Sequence, residues 1–178
     1  METPLKHWRR RCAEHWIADA DPAALVAMYQ AFQDERSRHP GTLRVQLADT
    51  NPHAQLAACF AALHDRDDPL DIFLTPGHFF WSGHELVSCG RPRVERAAGP
   101  SSRLFIPTGG TTSAPRFAAH TPATLEAAAR ALQAWLGGGP VDSVCMLPLH
   151  HVSGFMQAMR SYVSGGTLSL WDWPRAAA

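Results

Sequence analysis

The chain has 178 residues, and its 16 Lys+Arg are balanced by 16 Asp+Glu. That length fits one compact domain, and the zero formal charge argues against a general polyanion binder, leaving only a local basic patch as a route to nucleic acid. Hydrophobic residues make up 46% of the chain, but Ala supplies 28 of them and Leu, Ile, Val and Phe together only 36, the lower edge for a self-sufficient core. Lys6 is the single lysine against 15 arginines, so lysine chemistry within this chain must use Lys6. The longest apolar run, 56–63, is far short of a membrane span. Arg9-Arg10-Arg11 is not followed by the apolar stretch of a secretory signal. Cys12, Cys59, Cys89 and Cys145 make no CxxC pair and no zinc spacing. Reduced thiols, a cytoplasmic location, no membrane partner, no nucleic-acid partner and no metal site are the expectations.

Leu5, Trp8, Cys12 and Trp16 fall on one helical stripe, with Arg9, Arg10 and Arg11 read as its solvated face. Asp21-Pro22 then caps a second helix whose Leu25, Met28, Tyr29 and Phe32 share a side, and His39-Pro40-Gly41 ends it. Leu43, Val45 and Leu47 alternate with polar residues as a strand. Asn51-Pro52 opens a helix to about residue 63, the turn 65–69 closes it, and residues 71–74 form a buried strand. Residues 90–102, rich in Arg, Pro, Gly and Ser, read as a loop. Beyond it the order is strand 104–106, loop, strand 117–120, and a helix from Thr121-Pro122 carrying Leu125, Ala129, Leu132 and Leu136 on one face. Strand 143–147, a helix to about Tyr162, the break at Gly165-Gly166 and strand 167–170 complete the pattern. The alternation predicts an α/β fold, layered, with a mostly parallel sheet and flanking helices.

The stretch Thr108-Gly109-Gly110-Thr111-Thr112-Ser113-Ala114-Pro115-Arg116 carries the chemistry. Glycines let backbone N–H groups approach an anion, hydroxyls add donors, and a guanidinium pairs with phosphate oxygens. It is neither a Walker A loop nor a dinucleotide turn. Composition alone leaves two readings open, a polyphosphate cradle or an ordinary Gly/Ser/Thr hairpin loop.

The same nine residues resemble the phosphate loop of the adenylate-forming enzymes, the family of acyl- and aryl-CoA synthetases, luciferases and peptide-synthetase adenylation domains. Ser113 stands where that family usually has glycine, and Arg116 where it has lysine, which keeps the charge and changes its geometry. Leu147-Pro148-Leu149-His150-His151-Val152-Ser153-Gly154 is similar to the family's LPLxHxxG segment, which lines the acyl pocket, in the form most like o-succinylbenzoate–CoA ligases of menaquinone and phylloquinone synthesis. The resemblance implies phosphate binding by Thr108, Gly109, Gly110, Thr111, Thr112, Ser113 and Arg116, and substrate binding by His151, Ser153, Gly154 and Arg160. Ser153 and Arg160 are seven apart and share a helix face, and arginine can hold a carboxylate bidentately. Read without the resemblance, His151 is equally a surface or core histidine, and the adjacent His150-His151 pair lacks an acidic partner for a metal.

The implied reaction joins a carboxylate to ATP, releasing pyrophosphate, after which the thiol of CoA displaces AMP; ATP, Mg2+ and CoA are the implied cofactors. The family's adenine-binding, ribose-binding and lysine-bearing segments have no counterpart among the 178 residues, so no catalytic residue is assigned. The expected organisation is a helical segment over 1–49 and a partial AMP-binding N-terminal domain over 50–178, without the lysine-bearing C-terminal domain. Two functions are in view: part of an acid–CoA ligase, inactive as the isolated chain, or a non-catalytic remnant that binds an anion or protein. Under either, unfinished sheet surface favours self-association as a homo-oligomer.

Overall fold

Proline behind a capping side chain opens three helices. Asp21 accepts from Ala23 and Ala24 N–H, each at 3.2 Å, Asn51 accepts from Ala54 N–H at 3.1 Å, and Thr121 exchanges bonds with Thr124 in a capping box. The computed structural model describes residues 4–38, 44–48, 51–65, 69–75, 80–82, 85–87, 101–108 and 116–171. In chain order these form α1 (Pro4–Ala13), α2 (Pro22–Arg38), β1 (Arg44–Ala48), α3 (Pro52–His64), β2 (Asp71–Thr75), β3 (Phe80–Ser82), β4 (Glu85–Val87) and β5 (Arg103–Thr108). Then follow β6 (Arg116–His120), α4 (Pro122–Trp135), β7 (Ser143–Cys145), α5 (Val152–Ser164) and β8 (Leu168–Leu170). The α/β expectation holds. His39-Pro40-Gly41, most of the turn 65–69 and most of the loop 90–102 lie outside the described residues.

The main sheet has the order β1-β2-β5-β6, with β1, β2 and β5 parallel and β6 running back against β5. A second sheet pairs β7 and β8 in parallel through α5, and Ile17 adds a bridge to Leu168 on its edge. The hairpin β3–β4 was not legible in the sequence. Arg103 grips Asp71 with two bonds of 2.9 and 2.8 Å across β2 and β5, setting the register that carries β5 to Thr108.

Residues 55–63 of α3 are buried on every side, so this apolar helix is the centre of the core. Phe60 meets Trp8 at 5.3 Å, Trp16 at 5.6 Å and Tyr162 at 4.4 Å between ring centroids, which ties α1 and α5 to α3. Cys12, Cys59 and Cys145 are buried and unpaired, and Cys89 lies outside the described residues. Burial pushes the Cys12 thiol up to about 11 and raises those of Cys59 and Cys145. On α4 only Leu125 and Ala129 of the expected face are buried, and Leu136 is exposed.

The arginine run departs from expectation. Arg9 and Arg10 are exposed, but Arg11 is 4% exposed, and its Nη2 donates to Ser161 O at 3.1 Å and Gly166 O at 2.7 Å. These carbonyls belong to the end of α5 and the turn beyond it, where a helix leaves acceptors open and favours positive charge. Glu14 accepts from Arg11 Nη1 at 2.6 Å, which holds the Glu14 carboxyl below its usual range. Replacing Arg11 with alanine strands two buried carbonyls and is expected to cost about 2–3 kcal/mol of unfolding free energy, with Arg11→Lys recovering part of it. Urea denaturation of the two variants reads this directly, and equal stability of wild type and Arg11→Ala would refute it.

Candidate functional site

Strand alternation gives the β5–β6 ribbon two faces. Phe105 stacks on Phe73 at 4.5 Å and Phe117 meets the same ring edge-on at 5.4 Å, so one face is aromatic, with Phe105 buried and Phe117 half-buried. The opposite face presents Ile106 and Thr108 from β5 with Arg116, Ala118 and His120 from β6. Thr108 pairs with Arg116 at the open end, where Thr108 Oγ1 donates to Arg116 O at 3.3 Å. Both residues are exposed there. Gly109, Gly110, Thr111, Thr112 and Ser113 span the gap between them and lie outside the described residues.

The start of α5 stands across from this face. His151 N–H donates to Pro148 O at 3.0 Å, and Phe155 N–H donates to His151 O at 3.0 Å. His151 is the N-cap, yet its imidazole makes no capping bond. The first N–H groups of the helix therefore have no side-chain acceptor at the cap, the arrangement that suits an anion. Gly154 is buried because the chain folds tightly here: a Cβ on it would lie 2.8 Å from Leu147 O and still closer to Pro148 O. The Cys145 thiol donates to Leu147 O at 3.2 Å, fixing the same turn.

Between the two elements is a cleft of about 590 Å3, a size typical of small-molecule sites. Ile106, Pro107, Thr108, Ala118 and His120 form one wall, and Leu147, His151, Val152 and Ser153 the other. Three residues singled out in the sequence, Thr108, His151 and Ser153, thus meet in one place, with Gly154 buried beside them. Arg160 is not among the lining residues; it lies two turns along α5, with Nε buried and without a hydrogen-bond partner among the described residues. Sequence reading missed His120, whose only signal was its even spacing from Arg116 along a strand. A second cavity, of about 660 Å3 between α3, α4 and α5, contains none of the expected site residues. The described residues hold no His/Cys/Asp/Glu cluster suited to a metal ion, and no described helix is long and apolar enough to cross a membrane.

The close approach at Gly154 generates a test. Gly154→Ala drives a methyl into two backbone carbonyls, so it is expected to cost about 1–3 kcal/mol and to displace the start of α5. Thermal denaturation measures the first effect. An unchanged melting temperature would show that the turn relaxes freely.

Comparison with known proteins bears on the family and the fold. No curated protein matches the chain. Among solved structures, o-succinylbenzoate coenzyme A synthetase from Bacillus subtilis in complex with AMP superposes with a TM-score of 0.59 at 16% identity, covering 89% of this chain and 52% of that one. An E. coli MenE variant with bound OSB-AMS gives 0.63 at 19% identity, covering 95% and 45%. The inhibitor-bound N-terminal domain of FACL13 from Mycobacterium tuberculosis gives 0.58 at 14% identity, covering 99% and 59%. At these identities the likeness is one of fold, and the chain spans about half the length of the first two structures. The profile of the AMP-binding enzyme family matches residues 6–178, nearly the whole chain, and this together with the shared fold shows that the chain belongs to the AMP-binding enzymes.

Proposed function

We propose that this chain is the phosphate-gripping and acyl-binding part of an acid–CoA ligase of the adenylate-forming type, with o-succinylbenzoate as the acid. The observation that carries the reading is the convergence of Thr108, His151 and Ser153 on one cleft whose β6 wall continues to Arg116. On this reading residues 50–178 are the ligand-binding unit and 1–49 a helical segment packed on it. Gly109, Gly110, Thr111, Thr112 and Ser113 complete the cradle for the ATP phosphates between Thr108 and Arg116. The guanidinium of Arg116, exposed at the open end of the hairpin, fits a phosphate group because it is a permanent charge with a planar set of donors. Magnesium accompanies the nucleotide, and the described residues contribute phosphate and acyl contacts instead of metal ligands. CoA serves the second half of the reaction. The AMP and the ATP with magnesium that B. subtilis synthetase structures contain support the nucleotide part of this reading.

Acid binding falls to the helix start. Ser153 offers a hydroxyl, His151 an imidazole and Gly154 the close turn that holds them. Arg160 is placed about 10.5 Å further along α5 by the rise of seven helical residues, close enough for its long side chain to add positive charge behind the acid. The OSB-AMS bound to the E. coli MenE variant supports o-succinylbenzoate as the acid.

Removing the Arg116 guanidinium should weaken binding of ATP or pyrophosphate at least about tenfold, the equivalent of one charge-assisted hydrogen bond. Ser153→Ala should leave it within about twofold and weaken only the acid. Calorimetric titration of both variants with pyrophosphate decides the matter; equal loss in the two would sink the division of roles. Isotope exchange between pyrophosphate and ATP in the presence of o-succinylbenzoate measures how much of the first half-reaction the chain supports.

A second reading, a non-catalytic anion- or protein-binding module, is favoured by the exposed apolar residues Val144, Met146, Leu147, Val152 and Trp171 around β7 and the start of α5. If this surface pairs two copies, light scattering will show a dimer that Val144→Lys combined with Met146→Lys converts to a monomer. A wild-type monomer at high concentration would dispose of the homo-oligomer.

A further inference from the structure

We propose that His120 is an acid-recognising group on the β-ribbon wall of the cleft, selecting acids that carry a second hydrogen-bonding oxygen besides the carboxylate that reacts. The inference rests on the acid–CoA ligase reading and adds to it a residue and a selectivity.

His120 is the last residue of β6 and shares its cleft-facing side with Ala118 and Arg116. The ring is half-buried, and its Nε2 is shut off from solvent with no hydrogen-bond partner among the described residues. Buried polar atoms are nearly always paired, so an unpaired ring nitrogen at the edge of a cleft needs a reason. Ile106 and Ala118 beside it are apolar and cannot supply the partner. The two orientations of an imidazole related by a flip of the ring are isosteric, and Nε2 makes no hydrogen bond to a described residue that would lock either. A turn of the ring that brings Nε2 to the cleft therefore breaks no hydrogen bond of that atom to a described residue, and a ligand oxygen there can capture it.

The walls divide the task. His151, Ser153 and the uncapped start of α5 stand on the helix side, where they suit one anionic group. His120 stands on the opposite, strand side, and Arg160 does not line the space between. A ligand that satisfies both walls has an apolar body to lie against Ile106, Leu147 and Val152 and an oxygen-bearing group at each end. An acid with one carboxylate leaves the histidine unpaired.

The test is calorimetric titration of the full chain with o-succinylbenzoate and with benzoate, for wild type, His120→Leu and His120→Gln, with pyrophosphate as a control and thermal melting as a check on folding. The expected result is that His120→Leu weakens o-succinylbenzoate about tenfold, leaves benzoate and pyrophosphate unchanged, and that His120→Gln, which restores a donor, recovers most of the loss. If the leucine variant fails to fold, the glutamine variant with His120→Asn carries the comparison, because these side chains place their donors at different reach. Undiminished o-succinylbenzoate binding in His120→Leu overturns the inference and leaves the ligase reading standing. Equal losses for both acids, or a loss of pyrophosphate binding, assign His120 a packing role and also overturn it. Failure of wild type to bind either acid overturns the ligase reading and this inference with it.

Discussion

A helix buried from Gln55 to Leu63 must be covered on all sides, and that requirement organises the rest of the molecule. The sheet covers one side of α3, since α3 lies against β1 and β5, and α2 and α1 cover others. Alanines at 57, 58, 61 and 62 let these neighbours approach closely, which gives the alanine-heavy composition a structural use. Phe60 is the residue on which the layers meet, because rings from α1 and α5 both pack on it. Gln55, the one polar residue in the run, sends its amide to Leu47 O at 2.9 Å and so ties α3 to β1. The position of α5, and with it one wall of the cleft, is thus set from inside the core.

The other wall is set by a different device. Three phenylalanines, Phe73, Phe105 and Phe117, hold one side of the β5–β6 ribbon against β2, and the Arg103–Asp71 pair fixes how far β5 slides along it. The cleft side of the ribbon can then carry polar residues without loss of register. A site built this way has walls contributed by a strand pair and a helix. Support of that kind is what fixes a binding group to the tolerance that recognition needs.

The helix starts were legible in the sequence because their physics is local. Asp21, Asn51 and Thr121 announced helix starts because capping depends on residues three positions apart, and Gly165 announced a stop, adopting φ 83°. Arg11 was misread because its partners, Ser161 O and Gly166 O, are 150 and 155 residues away and backbone carbonyls leave no mark on a sequence. The β3–β4 hairpin went unseen for a related reason: its three-residue strands are too short for alternation to register. At the site, Thr108, His151 and Ser153 were legible through motifs, but His120 was not, since only the antiparallel return of β6 brings it opposite α5.

The three buried thiols give the fold an internal set of clocks. Cys12 sits in α1, Cys59 in the middle of α3 and Cys145 at the end of β7, each protonated at neutral pH and closed to solvent. Only a thiolate in contact with water reacts with an alkylating reagent, so each residue is labelled at the rate at which its own region opens. The order of labelling would therefore rank the local stability of the outer helix, the central helix and the second sheet, with no probe added to the chain.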